Sequence, residues 1–387
     1  MMVLGRGARA GSRWVPMLLL APFQFIFGLV YSWGAIAPAI HAQSHWPRAS
    51  LDLAFSLTPL ALLPAVVLSG HGLRRISPKA MLAVALGCFT VGGAIGLAFG
   101  DALPFMLGYS IVALGIGAGL STAACIAVVS RVYPQRRGVL GGALLALYGM
   151  SSVVSAPLFE SLDGDFGWRA ALALLLGLYT AVGWLAWFGL PDLPVQDVHT
   201  TARVGLQTML GHRAMRWALG LVLIAAPFGS AAFATIGHLS RELGFGPAFA
   251  LFAVAAMAIG NGLGRLAFGA VADLWGGRFS RNAVLAVNAL AAAILLAALQ
   301  GLGETAFVLY PLLMGLAFGG MAGKLPALAA QVVKDGHAET AFGLLFGAFA
   351  LASFLGPFAS AAFGMRNALQ GLAICAIAAG LSAPVAP

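Results

Sequence analysis

Charged residues are scarce in this chain: they make up 9% of its 387 residues, whereas hydrophobic residues make up 61%. Soluble globular domains carry charge on about a quarter of their residues. The shortage of charge therefore excludes a soluble domain with a water-facing shell. It predicts instead an all-α membrane protein whose surface is largely in contact with lipid.

Cysteine and recognisable catalytic motifs are also lacking. The three cysteines, Cys88, Cys125 and Cys375, each lie inside an apolar run and have no disulfide or metal-ligand spacing. His41 and His45 are four residues apart without a third ligand, so we interpret them as part of a surface loop. The sequence has no nucleophile–base pair, nucleotide-binding motif or zinc pattern. We therefore expect neither an enzyme nor a protein that holds a cofactor or a metal.

Long apolar runs are what the sequence has in abundance. Each of twelve runs is long enough to cross about 30 Å of hydrocarbon, which takes about 20 helical residues. Helices are predicted because lipid cannot satisfy open backbone groups. The first run has no small-residue cleavage site after it, so we expect it to be retained. The predicted helices, numbered 1 to 12, lie at about 15–40, 51–73, 79–99, 104–130, 138–159, 168–190, 214–238, 247–272, 281–301, 305–330, 339–363 and 365–384.

Basic residues outnumber acidic residues, 21 to 12, and their positions predict an orientation. They concentrate in the N-terminal tail, in alternate loops and in the polar segment 191–213, for example at Arg6, Arg131 and Arg278. Loops rich in Lys and Arg stay on the cytoplasmic side. We therefore expect a multi-pass protein of a bacterial-type inner membrane with both termini in the cytoplasm. The basic charge then sets orientation, and no nucleic acid is expected as a partner.

The polar segment 191–213 divides the chain into two halves that resemble each other. It predicts an N-terminal six-helix half at 1–190, a cytoplasmic linker at 191–213 and a C-terminal six-helix half at 214–387. Such internal symmetry predicts a substrate site between the halves, near the bilayer midplane. The same loop spacing occurs once in each half, at Gly70, Arg74 and Lys79 and again at Gly269, Asp273 and Arg278.

The segment GAVADLWGGR (269–278) resembles the loop signature of the major facilitator superfamily. The resemblance implies twelve transmembrane helices in two pseudo-symmetric six-helix halves around a central cavity. It also implies a role in conformational gating for Gly269, Asp273 and Arg278. In the first half, Gly70 and Arg74 occupy the matching positions of GHGLRRISPK (70–79), where Arg74 replaces the acidic residue usual in the family.

A narrower resemblance covers most of the chain. Five segments are similar to the oxalate/formate antiporter and monocarboxylate transporter group: VYSWGAIAPAI, HWPRASLDLAFSL, YPQRRGVLGGALLALYG, FGWRAAL and NGLGRLAFG. The resemblance implies secondary active transport of a small organic anion. In that group an arginine of helix 8 binds the carboxylate of the substrate.

Arg265 is the corresponding residue of predicted helix 8. A charge inside a membrane helix costs several kcal/mol, from about 3 to above 10, and arginine cannot shed its proton. Its planar guanidinium matches a carboxylate with two parallel hydrogen bonds. We predict that Arg265 binds a carboxylate substrate. The alternative is a structural arginine that is bonded to backbone carbonyls or snorkels to the cytoplasm.

Asn261 lies one turn before Arg265 on the same helix face. It is a candidate substrate ligand or, alternatively, an interhelical hydrogen-bonding residue. In proton-linked monocarboxylate transporters an aspartate occupies this position and is thought to couple a proton. Asparagine cannot titrate, and no carboxylate lies in the centre of any predicted helix. Coupling of transport to protons and coupling to a counter-transported anion both remain open.

Lys324 is a second cation within an apolar run, in predicted helix 10. It could contact the anion or snorkel to the lipid headgroups. The oxalate transporter pairs its helix 8 arginine with a lysine of helix 11, and here the matching region of helix 11 has Phe349. Two cations suit a dianion and one suits a monoanion. We therefore favour a monocarboxylate.

Polar residues also follow one face of predicted helices 1 and 5. Gln24, Gly28 and Tyr31 share a face of helix 1, and Tyr148 begins a stripe of serines on helix 5. A polar stripe in lipid should point to a cavity or to a neighbouring helix. We predict that Gln24, Tyr31 and Tyr148 line the site. Ordinary interhelical packing is the alternative.

Together these patterns predict a monomeric carrier of a monocarboxylate that works by alternating access. A multidrug-type efflux carrier of hydrophobic or zwitterionic compounds on the same fold is the alternative. A membrane sensor that binds ligand without moving it is disfavoured, because the tails and the 191–213 segment are short.

Overall fold

The structure, a computed structural model, describes residues 14–73, 75–192, 206–302, 304–332 and 338–382. Every regular element within these ranges is helical. The α-helices are α1 Val15–Phe27, α2 Trp33–Ser44, α3 Arg48–Gly72, α4 Pro78–Ala98, α5 Ala102–Phe105, α6 Gly117–Val132, α7 Arg137–Phe166, α8 Trp168–Gly189, α9 Leu206–Gly211, α10 Arg213–Glu242, α11 Pro247–Trp275, α12 Gly277–Leu299, α13 Glu304–Phe307, α14 Tyr310–Gly323, α15 Leu325–Val332, α16 Ala338–Phe363 and α17 Met365–Ser382.

Three of the predicted helices contain interruptions. Predicted helix 1 consists of α1, a 3₁₀ turn at Gly28–Ser32, and α2. Predicted helix 4 has a π-helical stretch at Met106–Ile116 between α5 and α6. Predicted helix 10 breaks at Lys324, where α14 and α15 are bent by 41°. Departures from α-helix inside a long helix often mark functional positions.

The number of membrane crossings can be compared with the prediction. In the described part of the chain, ten helices are long and apolar enough to cross a membrane, or eleven if α14 and α15 form one bent span. Predicted helix 12 is present as the 18-residue α17, which is not among those spans. The all-helical membrane fold is confirmed, and the count of twelve crossings stays a prediction.

The chain divides into two compact units that do not follow the predicted domain boundaries. One unit comprises residues 1–134 with 147–200, and the other comprises 135–146 with 201–387. The first turns of α7 therefore group with the second unit, which the sequence did not suggest. The boundaries at 190 and 213 stay predictions.

In the first unit, aromatic rings and small residues build the core. Trp33, Trp46, Phe105, Tyr109 and Trp168 form one connected cluster of ring contacts. The backbones of α4 and of the π-helical stretch meet at their glycines, where a side chain would collide with the opposite helix. Small residues allow membrane helices to approach in this way.

In the second unit, α11 and α14 run in the same direction with their backbones in contact. Gly315, Gly319 and Gly323 of α14 lie against the backbone of α11, and Gly260 and Gly264 of α11 lie against α14. These glycines recur every fourth residue, so they occupy one face of each helix. A Cβ atom at any of them would collide with backbone atoms of the opposite helix. The two helices therefore have little room to adjust without separating.

We expect Gly319→Ala to lower the stability of the protein by about 1–3 kcal/mol, the usual cost of overpacking a close contact. The added methyl would meet the backbone carbonyl of Asn261. The midpoint of thermal unfolding of the purified protein in detergent measures the effect. Gly371→Ala in α17 is the matched control, because a Cβ atom at Gly371 meets nothing within 4 Å. Equal midpoints for the two variants would contradict the close-contact interpretation.

Candidate functional site

The polar centre of the second unit is a pair of side chains on α11. The Nε of Arg265 donates a 3.0 Å hydrogen bond to Oδ1 of Asn261, one helical turn earlier. Arg265 is 2% exposed and Asn261 is 1% exposed. Arg265 precedes Asp273 by two turns of α11. At a rise of 1.5 Å per residue, the two residues are about 12 Å apart along the helix axis. The predicted shared face of Asn261 and Arg265 is thus realised as a direct bond.

Glycines on two neighbouring helices hold the backbone around this pair. Gly142 of α7 and Gly323 of α14 both lie against the backbone of Arg265. Gly319 lies against the backbone of Asn261. Because neither helix has a side chain at these contacts, the backbone of α11 is confined on two sides. The hydrogen bond that Arg265 donates to Asn261 then restricts the plane of the guanidinium group.

This arrangement suits recognition of a planar anion. Asn261 is neutral and accepts the hydrogen bond from Nε, so the buried pair keeps a net positive charge. A guanidinium forms its strongest contacts with carboxylate or phosphate oxygens. Carboxylate binding would also offset the cost of holding a charge in a low-dielectric region.

The cavity that Lys324 lines includes neither Arg265 nor Asn261. Lys324 is 3% exposed and lines this cavity together with Arg281 of α12, which is 6% exposed. Among the described residues, the cavity lining comes from α10, α12, α14 and α15, with Lys324 between the last two, and includes no residue of α11. The structure thus brings Lys324 together with Arg281, a residue that the sequence did not single out. A direct role of Lys324 in substrate binding stays a prediction.

The remaining predicted site residues belong to the first unit. The rings of Tyr31 and Tyr148 meet edge to face, with centroids 5.6 Å apart. Gly28 lies against the backbone of Tyr148, so α7 approaches the 3₁₀ turn closely. Gln24 is fully buried beside the thiol of Cys125, and its amide has no nitrogen or oxygen partner among the described residues. A buried amide with so few polar partners is consistent with a polar ligand position.

The serines that follow Tyr148 on α7 have a structural role. Ser155 lies 2.9 Å from the hydroxyl of Ser151 and 2.6 Å from the hydroxyl of Tyr179 in α8. These hydroxyls therefore join α7 to α8. Ser151 and Ser155 thus fit the alternative interpretation, ordinary packing between helices. Their partner Tyr179 was not predicted from the sequence.

The loop signature contacts the start of α7. Oδ1 of Asp273 accepts a 3.0 Å hydrogen bond from the backbone N–H of Gly138, and Oδ2 accepts a 2.7 Å bond from Val139. Gly269 lies against the carbonyl of Gly138, so the two backbones touch beside these bonds. The first N–H groups of a helix lack partners within the helix, and a carboxylate there also meets the positive end of the helix dipole.

The structure describes two of the other three residues of the predicted gating set. Arg278 is exposed at the start of α12, and Gly70 is buried near the end of α3. Arg74 lies outside the described residues. A metal centre was not expected, and the described residues contain no group of three or more His, Cys, Asp and Glu side chains arranged to hold an ion.

Comparison with known proteins places the chain in a family. The Major Facilitator Superfamily model matches residues 18–357, which is most of the chain. The chain belongs to the major facilitator superfamily. The predicted resemblance to this superfamily is thereby confirmed.

Curated proteins similar to this chain include proteins named monocarboxylate transporters and one named an oxalate:formate antiporter. The human protein named monocarboxylate transporter 11 is 30% identical over 332 residues, which cover 83% of this chain and 66% of that protein. The mouse protein of the same name matches over 56% of its length. This chain thus spans between about half and two thirds of these two relatives. The oxalate:formate antiporter of Oxalobacter formigenes is 24% identical over 354 residues, covering 89% of this chain and 84% of that protein.

Solved structures of two transporters share the fold of this chain. A transporter named FucP, crystallised in the outward conformation, aligns with a TM-score of 0.68 at 17% identity and covers 97% of this chain and 99% of its own. A bacterial homologue of the iron transporter ferroportin aligns with a TM-score of 0.72 at 15% identity, covering 96% and 98%. At these identities the alignments show a common fold.

We expect Asp273→Asn to lower the stability of the protein by about 1 kcal/mol, since one of two acceptors and the charge at the start of α7 are lost. The midpoint of thermal unfolding measures this. Asp165→Asn is the control, because Asp165 is exposed near the C-terminal end of α7. A midpoint for Asp273→Asn equal to that of the control would show that the carboxylate adds nothing at the start of α7.

Proposed function

We propose that this superfamily member is a secondary active transporter of a small monocarboxylate in the inner membrane. The observation that carries the proposal is the buried Arg265, held by a hydrogen bond to the neutral Asn261. Alternating access moves the substrate by rearranging the protein around a bound ligand. In this proposal Arg265 binds the carboxylate, Asn261 orients the guanidinium, and Gln24, Tyr31 and Tyr148 supply the polar wall.

A single carboxylate fits the charge of the pair better than a dianion does. Arg265 contributes one positive charge and Asn261 none. Two other buried cations of the second unit, Lys324 and Arg281, line a cavity that does not include Arg265. The names of the relatives, monocarboxylate transporter 11 and oxalate:formate antiporter, support a small carboxylate as the class of substrate.

Neutralisation of Arg265 by the substrate would couple substrate binding to the conformational change of the carrier. Closing a water-filled cavity around an arginine removes water from a charge, which is costly. A bound carboxylate cancels that charge, so the loaded carrier closes more readily than the empty one. Since Asn261 cannot carry a proton, we propose exchange of one anion for another as the form of coupling.

The substitution that tests the proposal is Arg265→Ala. We expect uptake of labelled formate, lactate or pyruvate into proteoliposomes preloaded with anion to fall by about 10- to 100-fold, since a hydrogen bond to a charged group contributes about 1.5–3 kcal/mol. Arg265→Lys should retain part of the uptake, because it keeps the charge and loses the planar pair of donors.

Arg366→Ala is the matched control, because Arg366 lies at the start of α17 in a partly exposed pair with Glu242. Uptake by Arg265→Ala equal to uptake by this control would refute the proposal. In that case, increased drug sensitivity of cells that lack the protein would favour the efflux alternative.

A second test introduces a carboxylate beside Arg265. We expect Asn261→Asp to reduce uptake at neutral pH, because the new carboxylate pairs with Arg265 and competes with the substrate. Pairing with Arg265 holds the pKa of this carboxylate below that of a free aspartate, so lowering the pH from 7 to 5 should not restore uptake. Asn261→Ala, which removes the hydrogen bond without adding a charge, should lower uptake less than Asn261→Asp does. Uptake by the two variants at pH 7 is the measurement, and equal uptake by both would contradict the placement of Asn261 at the site.

A further inference from the structure

The first unit contains a buried polar cluster where α1 and α6 face each other. Gln24 belongs to α1, and Ser121 and Cys125 belong to α6. All three side chains are 0% exposed. The thiol of Cys125 is in hydrogen-bonding contact with the amide of Gln24 and with the hydroxyl of Ser121. Cys125 is therefore the centre of the cluster, a position that the sequence did not indicate.

The spacing of residues on both helices brings these groups together. Gly117, Ser121 and Cys125 follow one another at intervals of four residues, so they occupy one face of α6. The ring of Phe27 lies against Gly117, where a Cβ atom would collide with it. Gln24 is three residues before Phe27 and lies on the same face of α1. Gly117 thus allows α1 to approach α6, and the amide of Gln24 meets the polar part of that face.

The cluster orients Gln24 without satisfying its amide. A thiol is a weak donor and a weak acceptor, whereas an amide group has two N–H donors and two lone pairs on its oxygen. Neither the amide of Gln24 nor the hydroxyl of Ser121 has a nitrogen or oxygen partner among the described residues. Hydrogen bonds are stronger in a buried region than in water, so a weak contact there still favours one orientation. Most of the hydrogen-bonding capacity of Gln24 therefore stays available to a ligand.

We propose that Cys125, supported by Ser121, is a positioning residue for Gln24 in the transport site. This inference rests on the proposed function, in which Gln24 forms part of the polar wall around the carboxylate. The thiol holds the plane of the amide, and Ser121 restrains the thiol from the preceding turn of α6. Without the thiol the amide is free to rotate, and ordering it when the substrate arrives weakens binding.

The first test measures uptake into proteoliposomes of whichever of labelled formate, lactate and pyruvate the wild-type protein transports fastest. Cys125→Ala should raise the concentration that half-saturates uptake by about threefold to tenfold, the ratio that corresponds to one ordinary hydrogen bond. The maximal rate should change little, because Arg265 is untouched. Cys125→Ser keeps a donor and an acceptor at this position and should stay close to the wild-type value.

Cys88→Ala is the matched control, because Cys88 is a partly exposed cysteine of α4 in the same unit. Its half-saturating concentration should equal that of the wild-type protein. An unchanged half-saturating concentration in Cys125→Ala, or an equal rise in Cys88→Ala, would overturn the inference.

A double-mutant cycle separates positioning from a structural role. If Cys125 acts through Gln24, Cys125→Ala should have no further effect on half-saturation in a protein that already carries Gln24→Ala. A purely structural role would give the same loss of uptake with and without Gln24, and that outcome would overturn the inference. If Cys125→Ala does not fold, Ser121→Ala, which removes only a hydroxyl, supplies the same cycle with the same expected dependence on Gln24.

Failure of this inference can be told apart from failure of the transport proposal. Uptake that requires Arg265 but is unaffected by Cys125→Ala would overturn the positioning role alone. Uptake that does not require Arg265 would refute the transport proposal and, with it, the role assigned to Cys125.

Discussion

The contact of the α11 backbone with glycines of α7 and α14 is the constraint on which the rest of the second unit depends. Gly142, Gly319 and Gly323 leave no side-chain layer between these helices, so Asn261 and Arg265 are held by backbone packing. In lipid, close packing of this kind replaces the hydrophobic driving force that operates in water. The long, charged side chain of Arg265 thus projects from one of the most closely packed parts of the second unit.

The same contact explains why Arg265 and Lys324 have different surroundings. Gly323 lies against Arg265, and the next residue, Lys324, follows at the point where α14 ends. A rotation of one residue along a helix turns the side chain by about 100°. Lys324 therefore faces α10 and α12 while its neighbour faces α11. Arg265 and Lys324 therefore have different surroundings, although Gly323, next to Lys324, contacts the backbone of Arg265.

Much of the fold could be predicted from the sequence because the long apolar runs and the loop signature are local features. The pairing of Asn261 with Arg265 was likewise predictable, since residues four apart share a helix face. The partners of Asp273 were not predictable, because Gly138 and Val139 are more than a hundred residues away and contribute only backbone groups. Arg281 escaped notice for a similar reason. Its neighbour Lys324 comes from another helix, and no spacing within the sequence relates the two.

The glycine-lined contact also has a consequence for measuring motion in this protein. Since α11 and α14 have no compressible side-chain layer between them, they should travel together as one rigid body through any rearrangement. A pair of spectroscopic probes on the lipid-facing sides of these two helices would then keep a constant separation. Such a pair would serve as an internal ruler, against which displacements of other helices could be calibrated in the same molecule.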